Sequence, residues 1–383
     1  MLRPIPHRTF GNRYIERVHW SLTGKCNFNC RHCFRSAPDG LLGEPPLEKC
    51  LDMVRQFSEC GIDSVELTGG EPLIRGDFFR IVDELLSRNI HVGCVYTNGW
   101  LIDRAFLDEM KARGMKTAFQ LSFDGVGYHD WMRRVPGAEE RALDAMRLLR
   151  EYGHRFSAAM CLCRENVGSV WETARLLEKE GCEGLKLQRA MPQGEWLDQP
   201  EHYLSDDELL EAYLSLAQRF VGAELRGPLQ MEGVVYLQER DGKKTARLLF
   251  DNSGKDGIED MPSCGILSKA LFVGPNGAAV PCMSMCGAAV EKLFPNAFDA
   301  PLRDILEDSS LVELSRTTRR AVLDHDPECR VCQYRSLCCG GNCRASATGA
   351  AGTDFLARDR FVCYLFKSGW YDRLKKFAAS CAE

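Results

Sequence analysis

The chain has 383 residues, 45% of them apolar and 27% charged, with a net charge of -5 at neutral pH. This is an ordinary globular composition, long enough for a catalytic domain of roughly 200–250 residues plus a smaller unit, and the mildly acidic balance gives no basis for nucleic-acid binding. Nineteen cysteines are too many for packing alone, and residues 1–11 hold two prolines and two arginines without an apolar core, which argues against a secretory signal and for thiolate-bound metal in a reducing cytoplasm.

From residue 18 to 192, short β-type runs alternate with amphipathic helical patterns. The spacing predicts strands at 18–22, 64–67, 91–96, 117–122, 155–161 and 184–188, and helices near 47–60, 77–88, 103–113, 139–152 and 170–180. Six βα steps imply parallel strands with right-handed crossovers, hence an open or closed (β/α) barrel, although a doubly wound sheet has the same alternation. In either architecture chemistry belongs at the C-terminal ends of the strands.

The unusual residues fall at those ends. After the first strand comes Cys26-Asn27-Phe28-Asn29-Cys30-Arg31-His32-Cys33. Three thiolates can hold three corners of a cubane iron-sulfur cluster and, with no fourth cysteine nearby, leave one iron open. The same spacing fits one face of a helix, but Gly24, Asn27, Asn29 and His32 are loop formers. The second strand runs into Thr68-Gly69-Gly70-Glu71-Pro72, where glycine lets a backbone approach a ligand closely. The third leads to Thr97-Asn98-Gly99. The fourth leads to Ser122-Phe123-Asp124-Gly125, whose hydroxyl and carboxylate fall on one side of an extended chain and suit a ribose.

A capping box at Ser205-Asp206-Asp207-Glu208 opens a helix reaching about residue 220. Residues 239–262, rich in Asp, Lys and Gly, read as a loop or boundary. The uncharged run 270–290 carries Pro275, Asn276, Gly277, Pro281 and Gly287, which break a spanning helix and leave a hairpin followed by a ligand loop. Eight of the nineteen cysteines lie between 264 and 343. Cys329-x2-Cys332 beside further paired cysteines is a metal spacing for which structural zinc competes. Cys50, Cys60, Cys94, Cys161, Cys163, Cys182 and Cys381 read as packing residues, with Cys161 and Cys163 at alternate positions that can face a barrel interior.

The N-terminal triad resembles the C-x3-C-x2-C signature of the radical S-adenosylmethionine (AdoMet) enzymes, with aromatic His32 before the last cysteine as in that family. The resemblance implies a partial (β/α)6 barrel and an open iron chelated by the methionine amino and carboxylate groups of AdoMet. Reductive cleavage of the sulfonium then gives a 5'-deoxyadenosyl radical that takes a substrate hydrogen. It implies a cofactor-binding set of His32, Gly69, Gly70, Glu71, Asn98, Ser122, Asp124 and Arg133. Within it the Gly-Gly turn meets the methionine amino group, Ser122 ranks above Asp124, and Arg133, in His129-Asp130-Trp131-Met132-Arg133, lies near the cofactor.

The later cysteines resemble the SPASM extension of peptide-modifying members of that family: Cys264, twelve residues, Gly277, four residues, Cys282, then Cys329-x2-Cys332-x5-Cys338 and a final Cys363. Four residues separate Cys343 from Cys338 and three separate it from Cys339, so the ligand is Cys338 or Cys339. The interleaved family pattern implies Cys264, Cys282 and Cys343 at a first auxiliary 4Fe-4S cluster, completed by Cys286 or left open. It puts Cys329, Cys332, Cys338 or Cys339, and Cys363 at a second. The implied units are a barrel at 1–200, a bridging segment at 201–262 and the SPASM domain at 263–383. The catalytic acid or base stays unidentified.

The implied activity is hydrogen abstraction from a peptide or protein, leading to oxidation, crosslinking or epimerisation, with a flavodoxin- or ferredoxin-type electron donor as partner and neither nucleic acid nor membrane. Seventeen residues before the first strand are too few for a peptide-recognition domain, so a leader is expected to be read by a separate protein or by the barrel mouth and bridging helix. One alternative is a sulfatase-maturing enzyme, but those carry an aspartate after the cysteine matching Cys282, where this chain has Met283. Another is a non-catalytic zinc-binding interaction protein, which needs neither the open triad nor the Gly-Gly-Glu turn.

Overall fold

The computed structural model describes residues 9–10, 13–15, 17–35, 40–267, 269–338, 343–349 and 352–381. Every strand and helix expected up to residue 188 forms within one residue of its expected ends. In chain order they are β1 (Arg17–Ser21), α1 (Leu47–Glu59), β2 (Ser64–Thr68), α2 (Phe78–Ser87), β3 (His91–Thr97), α3 (Arg104–Ala112) and β4 (Ala118–Ser122). A short α4 (His129–Arg133), not expected, precedes α5 (Ala138–Glu151), β5 (Phe156–Leu162), α6 (Val170–Lys179) and β6 (Leu185–Arg189). The capping box is present: Ser205 Oγ accepts from Glu208 N while the Glu208 carboxylate accepts from Ser205 N, opening α7 (Asp206–Val221).

Five further strands complete one sheet: β7 (Leu229–Met231), β8 (Val235–Arg240), β9 (Lys243–Leu248), β10 (Ala270–Val273) and β11 (Ala279–Val280). The order across it is β9-β8-β7-β6-β5-β4-β3-β2-β1-β10-β11. All pairings from β7 across to β10 are parallel. Strands β1 to β7 follow sequence order without the reversal that defines a doubly wound sheet. Among the described residues no pairing joins the two edges, so the sheet is an open, partial barrel.

Alternation sets the two faces. In β1, Val18 and Trp20 are buried while His19 is half-buried on the other side. Trp20 meets Phe57 of α1 edge-on at 5.3 Å. Helix α1 presents Cys50, Met53, Val54 and Phe57 at i, i+3, i+4 and i+7, one stripe against the sheet. Each such fully buried large side chain contributes ~1.5–3 kcal/mol. The opposite, inner face is polar: Tyr96 donates to Glu66 at 2.6 Å, and His19 Nε2 lies 3.3 Å from the same carboxylate.

The loop expected over residues 239–262 begins instead with an antiparallel hairpin, β8 to β9, with Arg240 paired to Lys243. Its two-residue turn is Asp241-Gly242, both at positive φ (53° and 74°), the type I' geometry that matches strand twist. The hairpin expected after residue 270 forms as β10 and β11. The rest of the chain folds into α8 (Leu302–Glu307), α9 (Ser310–Ser315), α10 (Arg319–His325), α11 (Pro327–Arg330), α12 (Arg335–Cys338), α13 (Arg344–Thr348), α14 (Arg360–Lys367) and α15 (Trp370–Ser380). Helix α15 returns to the barrel, where Trp370 Nε1 donates to Asp207 of α7 at 2.7 Å.

Candidate active site

The cysteine loop leaves β1 and is stitched to the turn after β2. Leu22 N donates to Thr68 O at 2.8 Å, Gly70 N to Thr23 O at 2.8 Å, and Glu71 N to Lys25 O at 2.9 Å. A Cβ on Gly70 would lie 2.2 Å from Lys25 O, and one on Gly69 2.9 Å from Thr23 O. The close approach expected of these glycines is therefore made first by the cysteine loop's own backbone. The Gly70 and Glu71 amides are spent on it and are not aimed at a ligand. Arg75, which the sequence did not single out, fixes the other side of the loop by donating to Leu22 O at 2.8 Å and Pro45 O at 3.0 Å. A pairing with Asp77 two residues on was the available signal.

The triad lies in an apolar nest: Phe28, Cys30 and Ala138 are buried, with Cys26, Cys33, Trp100 and Val135 packed on them. Burial pushes the Cys26 thiol up to about 12, the Phe28 N–H opposes this, and Glu71, Cys30 and Cys33 add to it. Burial likewise raises the Cys30 thiol, against Arg133. Three thiols crowded in an apolar pocket suit a bound cluster whose irons replace the protons, so Cys26, Cys30 and Cys33 fit a site-differentiated 4Fe-4S cluster.

Glu71 was expected at the cofactor. Its side chain is fully buried, and both oxygens accept from the chain itself: Oε1 from Thr97 Oγ1 (2.8 Å) and Leu73 N (3.2 Å), Oε2 from Asn98 N (2.8 Å). Burial pushes this carboxyl up to about 7, with the Asn98, Thr97 and Leu73 bonds holding it back. It ties the ends of β2 and β3 together. Asn98 continues the tie, its Nδ2 donating to Asn27 Oδ1 at 2.9 Å inside the cysteine loop.

Ser122 and Asp124 do not present side by side. Ser122 is half-buried at the strand end, whereas Asp124 is fully buried. Arg133 Nε sits 2.7 Å from Asp124 Oδ2, Cys161 N donates to Oδ1 at 3.0 Å, and His32 Nε2 and His129 Nδ1 each lie 3.5 Å from the carboxylate. Burial alone would raise its pKa; Arg133 first, then His32 and His129, hold it well below the usual range. Asp124 therefore acts as an internal hub in place of a ribose ligand. Arg133 Nη1 also donates to Cys30 Sγ at 3.5 Å, bringing Cys30, His32, Asp124 and Arg133 into one cluster.

The later cysteines gather as two groups. Cys343 lies within electrostatic reach of Cys282 and Cys264, and Cys282 within reach of Cys264. One cavity is lined by Cys329, Cys332, Cys338 and Cys363, with Arg358 and Lys367 at its wall. Cys338 is thus placed for the second group, and Cys339 lies outside the described residues. Cys286 is fully buried among Leu267, Phe272 and Val290, with Arg35 and Glu291 as its charged neighbours. Gly277, the motif glycine, has φ +85°, and a Cβ there would meet Asn296 Oδ1 at 2.2 Å and Phe298 at 2.5 Å. Of the packing set, Cys50, Cys60, Cys163 and Cys182 are buried, while Cys161 sits on the inner face beside Asp124.

Two features between the cysteine groups were not read from the sequence. The Arg35 guanidinium is buried against the Phe272 ring at 4.9 Å and donates to Ser21 Oγ at 3.1 Å. Glu232, just past β7, pairs with Lys186 of β6 at 2.9 Å, and its charge reaches both Cys161 and Cys282. Its position at a parallel strand's C-terminal end was the signal that could have found it.

Residues 20–177 match the family model of the radical SAM superfamily, and residues 264–333 that of the iron-sulfur cluster-binding domain SPASM. The chain is 26% identical over 365 residues to the AdoMet-dependent heme synthase of Methanosarcina barkeri, covering 91% of this chain and 96% of that one. It is 27% identical over 360 residues to the PqqA peptide cyclase of Gluconobacter oxydans, covering 93% and 91%. Streptococcus suis SuiB bound to its precursor peptide SuiA shares the fold, with a TM-score of 0.67 at 16% identity over 90% of this chain and 77% of that one. Fold and site together define an AdoMet-dependent iron-sulfur enzyme. The chain carries a radical SAM domain followed by a C-terminal SPASM domain. Its cofactors are AdoMet, a radical-generating 4Fe-4S cluster and auxiliary clusters in the SPASM domain. No helix among the described residues is long and apolar enough to cross a membrane.

Proposed function

We propose that this enzyme modifies a peptide or protein, by oxidation, crosslinking or epimerisation, in the space between its N-terminal and auxiliary cysteines. The observation that carries the reading is the Lys186–Glu232 pair at 2.9 Å, whose carboxylate is within electrostatic reach of both Cys161 and Cys282. Cys26, Cys30 and Cys33 hold the cluster that, with AdoMet, supplies a 5'-deoxyadenosyl radical. Cys264, Cys282 and Cys343 hold the first auxiliary cluster, and Cys329, Cys332, Cys338 and Cys363 the second. Ser122 stays exposed enough to meet AdoMet. Glu71, Asn98 and Asp124 hold the loop ends in register, and Glu232, paired with Lys186 at 2.9 Å, faces the substrate as a proton acceptor.

A charge-neutral Lys–Glu pair suits a peptide, whose backbone needs hydrogen-bond partners and little net charge. A tetrapyrrole bears several carboxylates and calls for several unpaired cations. Here Lys186 is taken by Glu232, and Arg189 donates to Ser346 at 2.8 Å with Asp206 3.8 Å away. Met283, after Cys282, packs on the SPASM core, so the base position of the sulfatase-maturing enzymes carries no carboxylate. The whole-length similarity to a heme synthase keeps a tetrapyrrole as the second reading. Reduction comes from an external flavodoxin- or ferredoxin-type donor, and leader recognition from a separate protein or the barrel mouth.

The test incubates reduced holoenzyme and AdoMet with peptides encoded beside the gene and, separately, with an iron-coproporphyrin. Formation of 5'-deoxyadenosine with loss of hydrogen from a peptide, or deuterium uptake from solvent without other mass change, supports the proposal. Turnover of the tetrapyrrole alone overturns it.

A further inference from the structure

Arg133 closes α4, and the next residue, Arg134, turns left-handed (φ 55°) and ends the helix. The Arg133 guanidinium is buried and held at two points. Nη1 donates to Cys30 Sγ at 3.5 Å, within the range of an N–H···S bond, and Nε lies 2.7 Å from Asp124 Oδ2. Asp124 is itself immobile. Its Oδ1 accepts from Cys161 N, its own N–H donates to His129 Nδ1 at 2.9 Å, and its carbonyl accepts from Asn166 Nδ2 at 2.9 Å. Phe123 stacks on His129 at 5.1 Å and seals the far side. The charged or titratable groups facing Arg133 are thus Asp124, with His32 and His129 on its flanks, Cys30, and more distantly Cys161 and Glu71.

A structural ion pair would need only the Asp124 contact, which already ties α4 to the loop after β4. The second contact goes to a sulfur of the cysteine triad. Hydrogen bonds and positive charge at a cluster's sulfurs stabilise the added electron, and they do so more strongly where water is excluded. We propose that Arg133, anchored by Asp124, is a positioning residue that hydrogen-bonds the Cys30 sulfur and raises the reduction potential of the cluster held by Cys26, Cys30 and Cys33. Asp124 aims the guanidinium and keeps the buried charge balanced, so the donor is set before AdoMet arrives. The consequence is an easier first electron from the external donor.

The readout is the midpoint potential of each cluster in the anaerobic holoenzyme without AdoMet, followed by electron paramagnetic resonance. The N-terminal cluster is the one whose signal changes when AdoMet is then added. R133Q alone strands a buried carboxylate and risks the fold, so it is paired with D124N/R133Q, which removes one charge of each sign and leaves the net charge of the site unchanged. In the double variant the reduced-to-oxidised ratio at the wild-type midpoint should fall about tenfold, a downward shift of about 59 mV for one electron, while the auxiliary potentials stay put. R133K, which keeps the charge but shortens the reach, should shift in the same direction by less. An unchanged N-terminal midpoint in the double variant overturns the proposal, and so does an equal shift of all clusters.

Discussion

Glu71, which ties the ends of β2 and β3 beside the cysteine loop, carries a pH signature. Its carboxyl is pushed up to about 7 by burial from an ordinary 4.5. Between those values the folded chain holds a proton that the unfolded chain has lost. The corresponding stability is fully present below pH 4.5 and disappears as pH rises through 7, by about 3 kcal/mol in all. Glu71→Gln removes the titration while leaving one acceptor for Thr97 or Asn98. The difference in urea midpoint between wild type and variant, followed from pH 5 to 8, should therefore move in the variant's favour. A difference that stays flat would mean the carboxyl is ionised throughout. At this scale the sequence revealed which residues mattered better than what they do. Glu71, Asn98, Asp124 and Arg133 were all found by motif, yet all four spend polar atoms on neighbouring chain. A motif names a residue type at a strand end, and only packing decides whether its side chain turns outward to a ligand or sideways to the next strand.

Among the elements, the β10–β11 hairpin joins Cys264 to Cys282 and turns at Gly277. Gly277 takes φ +85°, and its missing Cβ leaves room for Asn296 and Phe298; its carbonyl accepts from Ala297 N at 2.7 Å. Gly277→Ala introduces both backbone strain and overlap, at a cost of roughly 1–3 kcal/mol. That cost falls on the segment joining Cys264 to Cys282. The expected result is loss of about four irons per chain, a single cubane, with the AdoMet-responsive signal retained; full iron content in the variant would count against this role. The hairpin and the six βα steps were readable because period, glycines and prolines agreed. The β8–β9 hairpin was missed although Asp241-Gly242 announces it, because the Lys, Asp and Gly around it resemble a linker. The helices after residue 302 run four to eight residues apart from α15, too short for helical periodicity to register.

At the scale of the whole molecule, the SPASM domain is a continuation of the barrel sheet. Strand β10 lies parallel to β1, with Phe272 opposite His19 and Val273 opposite Trp20, so the strand that delivers Cys26 has β2 on one side and a SPASM strand on the other. Phe272 also covers the buried Arg35 guanidinium, two residues past Cys33. A chain ending at residue 262 would expose the β1 edge, an aggregation-prone row of unpaired backbone groups. It would also leave Arg35 without its covering ring and α7 without the Trp370 bond. The two units are then one folding unit, and cluster assembly in the first depends on the second. The shortened chain should accordingly be aggregated or unable to give an AdoMet-responsive iron-sulfur signal after reconstitution, as seen by size-exclusion chromatography and electron paramagnetic resonance. A soluble monomer with a normal signal would show instead that the barrel stands alone and that β10 is an accessory strand.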